Sequence, residues 1–132
     1  MPEVNLIAVA VAAVSAFILG GLWYSPALFG KAWLRLIGQT EESQKSGSMA
    51  KIFGGAFLLN LVSAWVFAMF LGPKPGLEFG AGAGLAAGLC WVAAAFGVND
   101  LFERRPMALT LINGGYVTVQ FLLMGAIIGW LG

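Results

Sequence analysis

Four stretches of this chain, at 4–24, 52–71, 77–98 and 107–131, run for about 20 residues each with no interior Lys, Arg, Asp or Glu. A helix rises 1.5 Å per residue, so about 20 apolar residues cross the roughly 30 Å hydrocarbon core of a bilayer. The runs lack the polar–apolar alternation of a barrel strand. Their glycines would weaken soluble helices but are frequent in membrane helices. The expected fold is an all-α membrane protein, one domain over 1–132 with four transmembrane helices. Composition agrees: 60% of residues are hydrophobic and 10% charged, against about 25% charged in soluble domains.

The connections are short. Gly72-Pro73-Lys74-Pro75-Gly76 reads as a tight turn, since two prolines stop a helix and two glycines permit a reversal. Segment 99–106 reads as a short charged loop, in which Asp100 and Arg104, four apart, can pair if the third span continues. In 39–51, Thr40-Glu41-Glu42 is suited to starting a short helix that Gly47 would weaken. Segment 25–38 predicts a short amphipathic helix in the membrane interface. Ser25 is placed as its N-cap and Pro26 as its first residue. Phe29, Trp33, Leu36 and Ile37 share one face and Lys31 and Arg35 another. Trp23 and Tyr24 fit an interfacial aromatic belt. With Lys31, Arg35, Arg104 and Arg105 they are the candidate lipid-headgroup contacts.

The first and third connections carry Lys31, Arg35, Lys45, Lys51, Arg104 and Arg105, against Lys74 on the other side. Cytoplasmic loops hold the excess of Lys and Arg, which predicts both termini outside the cytoplasm. Residues 1–5 carry Glu3 and no Lys or Arg, and the apolar run behind them is long, so it reads as a retained helix rather than a signal peptide.

Small residues recur every fourth position: Gly76, Gly80, Gly84 and Gly88; Ala8, Ala12, Ala16 and Gly20; Gly125 and Gly129. Such seams let backbones approach within a bundle or between protomers. The spans also hold polar residues, Asn60 with Ser63, and Asn113, Tyr116 and Gln120 at a three-then-four spacing. An amide without a partner in hydrocarbon costs several kcal/mol. These five residues therefore pack helices by hydrogen bonding or line a path, and packing is favoured because no charge lies at membrane depth.

No reaction is expected. The chain has no histidine and one cysteine, Cys90 in an apolar run, which gives no metal or haem site and no histidine base. A net charge of +1 offers nucleic acid no basic field. No cofactor is implied. The expected surroundings are the lipid bilayer and either a second copy or another membrane protein, with a small transporter or channel between protomers as the alternative.

Gly21-Leu22-Trp23-Tyr24-Ser25-Pro26, followed by Leu28-Phe29-Gly30-Lys31 and Trp33, resembles a family of small bacterial membrane proteins, domain of unknown function 1761. Leu101-Phe102-Glu103, Arg105-Pro106, Ile112-Asn113 and Gly115-Tyr116 are similar to the same family. The resemblance implies a four-helix membrane protein of prokaryotic source and no activity.

Overall fold

The computed structural model describes residues 4–40, 42 and 49–132. Lys45, Gly47 and the expected short helix after Thr40 lie largely outside the described residues. Among the described residues, five helices of eight residues or more follow one another: α1 (Leu6–Trp23), α2 (Gly30–Ile37), α3 (Met49–Leu71), α4 (Leu77–Glu103) and α5 (Met107–Leu131). All but α2 are long and apolar enough to cross a membrane. Many large side chains, Leu59, Phe70, Trp91 and Trp130 among them, point outward, which suits a chain whose solvent is hydrocarbon.

Asn5 starts α1 by accepting hydrogen bonds from the backbone N–H groups of Ile7 and Ala8, at 3.0 and 3.2 Å. Its amide N–H donates to the Leu131 carbonyl at 2.9 Å, so one side chain caps α1 and holds the end of α5.

Ser25 and Pro26 do not open a helix. Ser25 donates its hydroxyl back to the Leu22 carbonyl, and its own carbonyl accepts from the N–H groups of Leu28 and Gly30. Serine followed by proline is equally suited to the first two positions of a β-turn, and that role wins here. The chain reverses so tightly that a Cβ on Gly30 would fall 2.7 Å from the Ser25 carbonyl carbon. Helix α2 therefore begins at Gly30 and ends at Gly38, which is left-handed (φ +74°), as a helix C-terminus favours. Lys31 and Arg35 are exposed while Trp33, Leu36 and Ile37 are half-buried, the division expected of an amphipathic interfacial helix.

The expected loop 99–106 is mostly helix. Helix α4 runs to Glu103 and ends with Arg104 in the left-handed region (φ 58°). The Arg104 and Arg105 N–H groups bond back to the carbonyls of Leu101 and Asp100, a Schellman ending. Only Arg104–Pro106 then separates α4 from α5.

The two helices form a closely packed antiparallel hairpin. A Cβ on Gly80 would collide with the Gly125 carbonyl oxygen, and one on Gly84 with that of Phe121. A Cβ on Gly88 would lie 2.7 Å from the Val117 carbonyl oxygen, and one on Gly129 would collide with that of Gly76. The glycine seams of α4 and α5 are thus used on each other, inside one chain. Between Ala87 and Ala93, α4 widens into a π-helical segment. Beyond it the small-residue face resumes at Ala93, against Gly114, and Gly97, near Thr110. The step from Gly88 to Ala93 is five residues rather than four. The extra residue is taken up by the wider turn, as in a π-bulge.

Helix α5 is the hub, the most buried of the four spans, packed on α4 and on α1. Ala8, Ala12, Ala13 and Ala16 of α1 are fully buried. With Ala64, Phe67 and Ala68 of α3, Ala87 of α4, and Met124 and Ile128 of α5, they form the core. Helix α3 lies at the edge. It packs chiefly on α1 and touches α5 through a few side chains, including a Phe67–Phe121 ring contact at 5.4 Å.

Candidate functional site

Where α1 ends, the hydrogen-bonding side chains of three elements converge on α5. Trp23 Nε1 donates to the Ile112 carbonyl at 2.9 Å, and Tyr24 donates its hydroxyl to Asn113 Oδ1 at 2.6 Å. Tyr116 donates to the Ala16 carbonyl at 3.1 Å, and Gln120 Nε2 donates to Asn60 Oδ1 at 2.8 Å. Among the described residues, no buried side-chain nitrogen or oxygen is left without a partner, as hydrocarbon surroundings demand. Asn60, Asn113, Tyr116 and Gln120 are thus brought together along one side of α5. Ser63 lies one turn along α3 from Asn60 and takes no part.

These bonds back a groove of about 750 Å³. Phe17, Gly20, Gly21 and Tyr24 of α1 form one wall and Ile52, Phe53, Ala56 and Asn60 of α3 the other. Helix α2 crosses the mouth with Gly30, Lys31, Trp33 and Leu34, and Tyr116 stands at the back. Phe17 meets Phe53 and Phe57 edge-on, with ring centroids 6.0 and 5.8 Å apart, and Trp33 meets Tyr24 at 5.1 Å. Gly20 matters by what it lacks, since a Cβ there would fall 3.1 Å from the Tyr116 hydroxyl. From Ile52 to Asn60 the groove runs eight residues along α3, about 12 Å. Among the described residues, Lys31 is the one charged side chain lining it.

A smaller cavity of about 230 Å³ lies at the opposite end of the bundle, beside Asn5, Pro73 and Lys74. Between the two, Ala12, Ala13, Ala16, Ala64 and Met124 are fully buried in the core.

Two sequence expectations are corrected. Trp23 and Tyr24 direct their polar atoms to α5 instead of to headgroups, since half-buried Trp and Tyr tips take internal partners when these are in reach. The exposed cations at this end include Lys31, Arg35, Lys51, Arg104 and Arg105. Asp100 does not pair with Arg104. It is buried and accepts a 2.5 Å hydrogen bond from the Thr110 hydroxyl across the hairpin, while the left-handed backbone at Arg104 turns that residue off the helix. Phe17, Gly20, Phe53, Ala56 and Trp33 were not expected as site residues. The one signal for them is the Gly20-Gly21 pair leading into an aromatic turn.

Residues 7–129 match the family described as Protein of unknown function (DUF1761). The chain belongs to this family. No curated protein and no solved structure matches it. The two segments that carry the resemblance to DUF1761 proteins are some 89 residues apart in the chain and meet at this site. Trp23 and Tyr24 from the first bond Ile112 and Asn113 from the second. A Cβ on Gly115 would come within 3.0 Å of the Trp23 ring. In this DUF1761 protein the family-like residues thus build the mouth and back of the groove.

Proposed function

We propose that this DUF1761 protein is a non-enzymatic protein of the bacterial inner membrane that holds a membrane-borne ligand in the groove, as a homo-oligomer or as an accessory subunit of a larger membrane complex. The observation that carries this reading is the groove itself. Its 750 Å³ falls within the roughly 300–1,000 Å³ of small-molecule sites, and it opens where Ile52 and Phe53 are about half exposed. Among the described residues its lining has no Asp, Glu, His or Cys, and its ionisable groups, Lys31, Tyr24 and Tyr116, are paired with no carboxylate or imidazole base. The preponderance of Lys and Arg in the first and third connections supports both termini facing outside. Impermeant-thiol labelling of single cysteines at 74 and 104, in a Cys90→Ala background, would then mark only 74 in intact cells.

Native mass spectrometry of protein extracted in mild detergent tests the ligand. The expected result is a lipophilic species retained by wild type and lost in Ala56→Phe, which fills the groove. A solute transporter with its path between protomers is the rival. Within one chain the packed layer between the two cavities supports binding over passage. No retained species, together with solute flux in liposomes that vanishes in Asn60→Leu, would favour the rival.

A further inference from the structure

We propose that the groove is selective for an acidic amphiphile of the cytoplasmic leaflet, with one hydrocarbon chain lying between α1 and α3 and the anionic head on Lys31. The inference rests on the reading of the groove as a ligand site and adds the ligand's chemistry. The first argument is length. A groove about 12 Å deep is close to one leaflet's share, about 15 Å, of the hydrocarbon core. The second is saturation. Tyr24, Asn60 and Tyr116 line the groove, but Tyr24 is bonded to Asn113, Asn60 to Gln120 and Tyr116 to the Ala16 carbonyl. The two hydroxyl protons and the Asn60 carbonyl oxygen are thus engaged, so a polar solute would find only the Asn60 amide hydrogens and the tyrosine lone pairs to replace its hydration. A hydrocarbon chain against Phe17, Phe53 and Trp33 asks nothing of them.

The third argument is charge. Lys31 is exposed at the mouth, and among the described residues no acid lines the groove to neutralise it. The mouth lies at the end of the bundle that carries Arg35, Arg104 and Arg105, the side that the Lys and Arg distribution places in the cytoplasm. There a lysine with its stem along apolar surface reaches headgroup depth. Arg35 is one turn further along α2, also exposed, and does not line the groove. That makes it the control for general surface charge.

The test uses the intact protein in phosphatidylcholine bilayers. The probe is phosphatidylglycerol brominated along its acyl chains, compared with brominated phosphatidylcholine. The readout is quenching of the Trp33 fluorescence, taken as wild type minus Trp33→Phe. Phosphatidylglycerol should quench at a lower mole fraction than phosphatidylcholine. Lys31→Gln should weaken that preference about fivefold, the loss expected for one cation at an anionic surface, and Arg35→Gln should retain it. Equal quenching by both lipids in wild type, or equal loss in Lys31→Gln and Arg35→Gln, overturns the headgroup assignment while leaving the groove as a lipid site. Quenching that persists unchanged in Ala56→Phe overturns the ligand-site reading itself.

Discussion

Gly84 and Gly82 sit two residues apart on α4 and face opposite ways, so the same substitution at each isolates the cost of the α4–α5 contact. At Gly82 an added Cβ meets nothing within 4 Å. At Gly84 it collides with the Phe121 carbonyl oxygen and lies 2.7 Å from that carbonyl's carbon and 3.1 Å from the Leu122 Cα. Every one of these atoms is backbone, so no rotamer change relieves the overlap. The helices must part, and a gap of roughly 0.5–1 Å forfeits a quarter to a half of the dispersion attraction of each pair it separates. The neighbouring contact at Gly80 is as close, that at Gly88 somewhat looser, and both would open too. The cost therefore belongs near the upper end of the overpacking range, about 3 kcal/mol. It is offset by up to about 1 kcal/mol of helix propensity, which Gly82→Ala gains without opposition. Gly84→Ala should then be less stable than Gly82→Ala by about 3 kcal/mol in reversible unfolding from mixed micelles. Equal stabilities would show that the seam is not a backbone-to-backbone contact and would refute the packing scheme.

Three other outcomes follow from the geometry. Deleting Trp91 from the π-helical segment should let α4 close into a regular α-helix with Gly88 and Ala93 four apart, keeping the seam in register. The same deletion at Gly82 should misalign it, and comparing folded yields in detergent distinguishes the two. Gln120→Leu removes the donor to Asn60 and should destabilise by about 1 kcal/mol, read in the same unfolding assay; no change would mean that the bond contributes nothing between α3 and α5. Arg104→Gly places glycine where the backbone is left-handed and should raise stability by about 1 kcal/mol, whereas a loss would show that the arginine side chain anchors the turn.

The four spans were legible because a run of 20 apolar residues has few alternatives in any solvent. The interhelical role of Asn60, Asn113 and Gln120 was legible for a related reason, that amides in hydrocarbon must find partners. Helix ends were harder to read. Ser25-Pro26 satisfies both a helix start and a turn, and only the reversal toward α5 decides between them. Asp100 looked like half of a surface ion pair because charge spacing is visible in sequence, while the Thr110 hydroxyl across the hairpin is not. The π-helical segment leaves only an indirect trace, the five-residue step from Gly88 to Ala93. The groove left almost none, since its space depends on how far the edge helix α3 stands from α1, and no local pattern encodes that distance.

The position of α5 at the hub also bears on the order of assembly. Of the four spans it is the last to leave the ribosome, yet α1 and α4 both take their main contacts from it. Until it is inserted, α4 has no partner for its glycine seam, Asp100 lacks Thr110, and Trp23 and Tyr24 lack Ile112 and Asn113. Biogenesis of this protein therefore has a waiting period, in which α4 stands in the bilayer with its glycine seam toward lipid while α1 and α3 have only each other. A ribosome stalled before residue 107 would leave an α1–α3 pair and an unpartnered α4, and quality-control proteases of the membrane would meet them in that form.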